Sequence, residues 1–275
     1  MLPAIGLVLI FVCVFGIYIE SGGKIEIIMH ALPHELGTIL GAAIGAYMIS
    51  NSGLVLKQTP KELLVALKGP KWKKQDYKDL LCLMFTLCKL MKSKGLIAVE
   101  QHIERPHEST IFNQYPKIAH DHFSVDIICD TLRTLTMGLE NPMQIEDLIE
   151  KQIEKHHHES THAGHALQGM ADGLPAIGIV AAVLGVVKTM ASITEPPEIL
   201  GGMIGGALVG TFLGVFMAYC IVAPLAGKNL AIHHEQQQFY FIIRDVLLAH
   251  LKGMAPQVSV EIGRTQVPSH MQATF

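Results

Sequence analysis

At 275 residues, half of them hydrophobic and with a mean hydropathy of +0.37, the chain is too apolar for an ordinary soluble domain. Charged residues make up 16% of it, against about 25% in a typical soluble protein. A formal net charge of −3, with no RNA- or DNA-binding motif, argues against a nucleic-acid binder.

A membrane helix needs about 20 mostly apolar residues. Residues 2–19 carry no charge and end at Tyr18 and Glu20, like an interfacial anchor. No basic stretch precedes this run and no small-residue cleavage pattern follows it, so a retained helix is expected rather than a secretory signal. A connector over 20–35 carries only Lys24, and a second charge-free run over 36–56 stops at Lys57.

The long middle segment reads as helical and polar. Pro60 opens a short helix that Gly69-Pro70 closes. Residues 79–92 place Leu80, Leu83, Met84, Leu87, Leu90 and Met91 on one face, and Gly95 ends that helix. A polar stretch over 100–113, broken by Pro106, reads as a loop or short helix. An amphipathic helix is expected over 118–139, and Asn141-Pro142 starts another that runs towards His165.

A third apolar run, 173–194, contains one charge, Lys188, expected to snorkel to the headgroups. The fourth, 199–226, contains none and has Pro224 near its end. Residues 230–251 form a last amphipathic helix, and the tail shows β-branched alternation at Val258, Val260 and Ile262. The expected fold is therefore an all-α integral membrane protein with four transmembrane helices. Residues 1–56 hold the first two spans, 57–171 a helical cytoplasmic domain, 172–227 the last two spans, and 228–275 a C-terminal cytoplasmic helix and tail. Basic residues set the orientation: 15 of the 21 fall between Lys57 and Lys155, and the connector around Glu195 to Glu198 has none. The middle segment and both termini are expected inside, the short connectors outside.

Within the spans, Gly37, Gly41 and Gly45, and again Gly202, Gly206, Gly210 and Gly214, recur at every fourth position. Such stripes let helix backbones approach closely in lipid, and a homo-oligomer follows naturally. Cys13, Cys82, Cys88, Cys129 and Cys220 show no paired spacing and read as free buried thiols, with no disulfide framework or zinc site. There is no phosphate-binding glycine loop, nucleophile elbow or catalytic carboxylate pair, so no enzyme is expected. His158, His162 and His165 share a helix face at a metal-compatible spacing, but a solvated histidine-rich turn is preferred and no cofactor is expected. None of the four expected spans contains Asp or Glu. A proton conductor built this way takes its titrating carboxylate from another chain. What this chain offers is Thr211 at mid-membrane and two prolines, Pro175 and Pro224, for which helix-end geometry and a functional bend remain equally open.

At these residues the sequence resembles the motility protein A (MotA) family, the flagellar stator subunits. The third span from Asp172-Gly173-Leu174-Pro175-Ala176 to Val187 carries the likeness. So do Val209-Gly210-Thr211-Phe212-Leu213-Gly214 with Ala223-Pro224-Leu225, Glu100 to Pro116, and Ala255-Pro256 with Val260 to Arg264. These blocks span essentially the whole chain. The resemblance implies a ring of five in the bacterial inner membrane around a motility protein B-like partner, whose single span carries the proton-accepting Asp. Ion flow past that Asp would drive torque on the rotor switch protein FliG. By the same resemblance Pro175 and Pro224 couple ion passage to movement and Thr211 lines the route. Ala182 stands where sodium-driven relatives have Thr, which points to protons, since a methyl offers sodium no ligand. Rotor contact falls to Glu100, with Lys92 where the family has Arg, shared with Lys94. Lysine keeps the charge there but loses the planar fork. The alternative is the ExbB/TolQ proton-channel subunit, which energises outer-membrane processes; its usual three spans and outside N-terminus fit less well.

Overall fold

A computed structural model describes residues 2–139 and 141–272, and among these all regular structure is helical. In chain order the helices are α1 (Leu2–Glu20), α2 (Ile25–Ser50), α3 (Gly53–Lys68), α4 (Lys74–Lys94) and α5 (Ile97–Glu104). Then follow α6 (Pro116–Ala119), α7 (His122–Thr136), α8 (Pro142–Ala191), α9 (Pro197–Leu251) and α10 (Pro256–Thr265). Four of them, α1, α2, α8 and α9, are long and apolar enough to cross a membrane.

The chain divides into two compact units. The first combines the residues up to Gly69 with Thr161–Ala231, and the second combines Pro70–Ser160 with the residues from Ile232 onward. Helices α8 and α9 each run without interruption across a unit boundary. The expected separate helices over 118–139, 142–165 and 230–251 are therefore redrawn. Asp121 splits the first of these, and the other two continue directly from membrane spans.

In the first unit, helices are held together by the absence of side chains. A Cβ placed on Gly178 would stand 2.9 Å from the Gly210 carbonyl oxygen and 3.0 Å from the Gly214 Cα. One on Gly214 would stand 2.8 Å from both the Gly178 Cα and the Leu174 carbonyl oxygen. Gly185 meets Ala207 in the same way, at 2.9 Å from its Cα. The pairings 174 with 214, 178 with 210 and 185 with 207 make α8 and α9 an antiparallel pair in backbone contact. A core of Ile39, Ala43, Leu174, Ala181, Val209, Leu213 and Ala218 surrounds it. Helix α1 joins through a ring cluster: Phe11 and Phe15 meet Phe216 at 5.4 and 5.6 Å, and Phe15 meets Phe212 at 5.9 Å. By contrast Gly37, Gly41 and Gly45 on α2 have nothing within 4 Å.

Two boundaries in this unit differ from expectation. The second span was placed at 36–56, but α2 begins at Ile25 and stops at Ser50, where Asn51 (φ −125°, ψ 150°) and Ser52 turn extended. Tyr47 and Thr59 share a 2.5 Å hydrogen bond that folds α3 back on α2, with Pro60 inside α3 rather than at its start. Pro224 does not end a helix either. A π turn over Met217–Val222 precedes it, and α9 continues to Leu251. Proline has no N–H to donate and its ring crowds the carbonyl four residues back, a conflict that a wider turn relieves.

The second unit packs around Tyr77, Leu80, Leu83, Met84 and Leu87 of α4 with Ile128 and Leu132 of α7, Ile149 of α8 and Phe239 and Ile243 of α9. Its polar frame is a double ion pair. Lys71 binds Asp121 and Lys117 binds Asp76, and both ammonium groups lie over the Trp72 ring, at 4.7 and 5.4 Å. Trp72 stacks on Phe239 at 4.0 Å. Asp121, only 6% exposed, also caps α7 by accepting from the Ser124 amide at 3.1 Å, which is why the helix restarts there. The tail read as β-branched alternation is helix α10, with Pro256 in its first turn, and Gly263 seated on Val246 and Ile242. Of the cysteines, Cys88 and Cys129 are buried as expected, and burial pushes both thiols up to about 12. Cys13 and Cys82 are exposed.

The crossing makes a direct prediction. Gly214→Ala sets a methyl against backbone that has no rotamer to yield, so it should lower stability by about 1–3 kcal/mol. Gly41→Ala, facing open space, should leave the monomer unchanged. Thermal melting of the two variants in detergent checks this, and equal effects would refute the backbone-contact account.

Candidate functional site

The candidate ion-path residues lie on α8 and α9 in the first unit. A Cβ on Gly210 would stand 3.2 Å from the Ala182 amide nitrogen and 3.2 Å from the Ala181 Cβ. Thr211, the next residue, is therefore level with Ala182, and both are half-buried. Pro175 sits about 10 Å further along α8 from Ala182, at the helical rise of 1.5 Å per residue. It lies inside α8, one residue past Leu174, whose carbonyl touches Gly214. Its missing N–H leaves the carbonyl four residues earlier, that of Ala171, without its usual donor. The structure thus sets Ala182 and Thr211 at one level and places Pro175 within two turns of them. Pro224 is separate: it is exposed and about 20 Å along α9 from Thr211 by the same rise.

One charged residue at this level escaped the sequence reading. Glu35 belongs to α2, and its Oε2 stands 2.6 Å from the same Gly210 Cβ position. Helix α2 begins eleven residues before the charge-free run expected as the second span, and it includes Glu26 and Glu35. The signal was present as helical continuity through 25–35. A search for charge-free windows discards that stretch. Lys188, expected to reach for headgroups, lines a cavity together with Glu35 and His34.

The candidate rotor-contact residues lie in the second unit, around one corner. Lys92 and Lys94 occupy the last turn of α4, and Glu100 the first turn of α5. Gly95, with φ +79°, makes the turn between them. All three side chains are exposed, as is Ile97, at 83%. Cations at a helix C-terminus and an anion at the next N-terminus each suit the local helix dipole. The corner therefore presents opposite charges side by side.

The histidine cluster is divided between the units. His156 stacks on Phe123 at 3.8 Å in the second, while His162 and His165 line a cavity with Tyr47, Ser50 and Asn51 in the first. Among the described residues no three His, Cys, Asp or Glu side chains are placed to hold a metal ion.

Comparison with known proteins gives a consistent answer. Residues 4–95 match the family model described as motility protein A N-terminal, and residues 120–240 match the MotA/TolQ/ExbB proton channel family. The chain is 38% identical to motility protein A of Salmonella typhimurium over 275 residues, covering 100% of this chain and 92% of that protein. Its fold matches the structure of C. jejuni MotAB with a TM-score of 0.79 at 19% identity, covering 99% of this chain and 98% of that one. It also matches the flagellar MotAB stator complex from Bacillus subtilis with a TM-score of 0.74 at 21% identity, covering 97% and 96%.

Beneath the charged corner lies a buried histidine. His102, two residues beyond Glu100 on α5, is buried with its Nδ1 2.9 Å from the Ser109 hydroxyl, and burial lowers its pKa below the usual 6.5. A folded-state pKa below the unfolded one means that the unfolded chain binds more protons. The stabilisation is then complete above the unfolded value and lost as pH falls through it. Melting temperature should drop on acidification below about pH 6.5, the free-imidazole value. It should drop less in His102→Gln, which keeps a hydrogen-bonding group without the titration. An equal acid response in both proteins would show that His102 does not carry it.

Proposed function

The chain belongs to the motility protein A family, and from that premise we infer that it is the ion-conducting subunit of a flagellar motor stator, coupling proton flow to torque on the rotor. It is a multi-pass protein of the bacterial inner membrane, and no covalent chemistry is assigned to it. The match of residues 4–95 to the motility protein A N-terminal model favours this over the transport-energising ExbB/TolQ reading.

In the proposed arrangement five copies surround a single-span, motility protein B-like partner that carries a membrane carboxylate. Both termini and the second unit are cytoplasmic, in keeping with the concentration of basic residues between Lys57 and Lys155. The observation that carries the mechanism is Ala182 and Thr211 at one level of a backbone-to-backbone helix crossing. A helix pair without bulky side chains lets a partner helix approach, and a hydroxyl beside a methyl offers a proton-bearing carboxylate one polar neighbour. Ala182 supplies no oxygen for a sodium shell, so the proposed coupling ion is the proton. One charge crossing 100 mV releases about 2.3 kcal/mol, so torque builds over many ions in succession. Protonation changes the partner's pairing with α8 and α9. Pro175 and Pro224 are the proposed points of bending, and the Lys92, Lys94 and Glu100 corner passes the movement to the rotor switch protein FliG.

Swimming speed of cells that depend on this chain and its cognate partner should be independent of sodium at fixed proton-motive force and abolished by a protonophore. Speed that tracks sodium would overturn the ion assignment. Glu100→Lys should weaken torque while leaving ion leak unchanged, and an altered leak would place Glu100 on the ion path. Pro175→Ala should slow rotation with the partner still co-purifying, and loss of the complex would make Pro175 a folding residue.

A further inference from the structure

The first unit holds a cavity of about 630 Å³ whose polar lining is Glu26, His30, His34, Glu35, Lys188 and Thr189. It lies against α9 at Gly202 and Gly206 and against α8 at Gly185. Three features set Glu35 apart from an ordinary interfacial anchor. Its carboxylate rests on the Gly210 backbone, at the level of Ala182 and Thr211, instead of pointing out of the bundle. The charges facing it are His34 on its own helix and Lys188 on α8; Glu26 and His30 complete the titratable lining from α2, and α9 contributes none. Its side chain is half-buried and lines the cavity, so solvent that fills the cavity reaches it.

We propose that Glu35 is a proton relay belonging to this chain, standing between the cavity lined by His30, His34 and Lys188 and the partner's carboxylate. The proposal rests on the stator reading above, which places this end of α2 towards the outside. A proton entering through the cavity binds one oxygen of Glu35, and the same carboxyl group releases a proton through water towards the level of Ala182 and Thr211. No other bond forms or breaks, and the carboxylate returns to its starting state after each transfer. Lys188 supplies the compensating positive charge while Glu35 is ionised. In a bundle, ionisable side chains that face a water-accessible cavity mark ion routes far more often than they serve packing.

The test uses the complete complex in cells whose only stator is this chain with its cognate partner. Low-load swimming speed and high-load torque of tethered cells are measured across external pH for the wild type, Glu35→Gln and Glu35→Asp. At low load ion transit limits speed, and at high load it does not. Glu35→Gln is expected to lower low-load speed by about tenfold, a modest share of what a positioned proton-transfer group contributes. Tethered torque should fall much less, the deficit should ease in acid, and Glu35→Asp should restore most of the speed. Wild-type speed in both variants at every pH would overturn the proposal. So would equal loss of torque and of partner co-purification in both, which marks a packing role. If the wild type itself tracks sodium, the ion assignment fails and takes the relay with it. A proton-driven wild type with an unaffected Glu35→Gln removes the relay alone.

Discussion

In a bilayer, apolar side chains gain nothing by leaving lipid for one another, so helices associate through close packing and buried polar contacts. The contact of Gly178 with Gly210 and Gly214 is where this chain meets that requirement. Once the two backbones touch there, the antiparallel register of α8 and α9 is fixed, and with it the shared level of Ala182 and Thr211. The ring cluster of Phe11, Phe15, Phe212 and Phe216 then has a surface on which α1 can pack. The Ile39 and Ala43 face of α2 closes the other side. A second tight point at Gly164, against Asn229 and Leu230, continues the α8–α9 contact beyond the apolar zone. There Asn229 donates to the Glu62 carbonyl at 3.1 Å and to its carboxylate at 2.7 Å, which ties α3 to the same pair.

The second unit is built by the opposite rule. In water the apolar faces of α4 and α7 are enough to drive burial, and the polar groups decide geometry. Asp76 and Asp121 are buried beside lysines whose ammonium groups lie over Trp72, so each carboxylate is paired and hydrogen-bonded as a buried charge must be. Tyr240 donates to Asp121 at 3.3 Å from α9, linking the α7 cap to the far helix. Arg133 reaches Glu104 at 2.9 Å and so fixes the end of α5, the helix that carries Glu100. The exposed corner at Gly95 is therefore mounted on a frame in which each neighbouring helix is anchored.

The four spans were legible because hydropathy reports what lipid tolerates. Their ends were not, because a helix ends where its backbone hydrogen bonds are interrupted. Asn51 and Ser52 stop α2 inside a charge-free run, and Glu35 lies within a helix that a charge-based reading trims. The same bias passed over Glu35. Both glycine stripes could be read, but not which of them faces a neighbour. Gly210 and Gly214 are in contact while Gly41 and Gly45 are open, and period-four spacing is the same in both. Helix α10 was not recognised as a helix because Val258, Val260 and Ile262 also satisfy a two-residue period. Proline in its first turn and Gly263 against Val246 settle it as a helix only once α9 is in place.

The π turn at Met217–Val222 has one more consequence. Such a turn is an α-helix with one residue inserted, and each residue rotates the helix by about 100°. The face that Thr211 presents and the face that Asn229 presents are therefore phased by a single residue, not by the length of either segment. Removing one residue between them would leave a straight, well-bonded helix of almost the same length with its two halves turned out of step. In this stretch the number of residues acts as an angular setting, one that substitutions leave untouched and that a one-residue insertion or deletion resets in a single step.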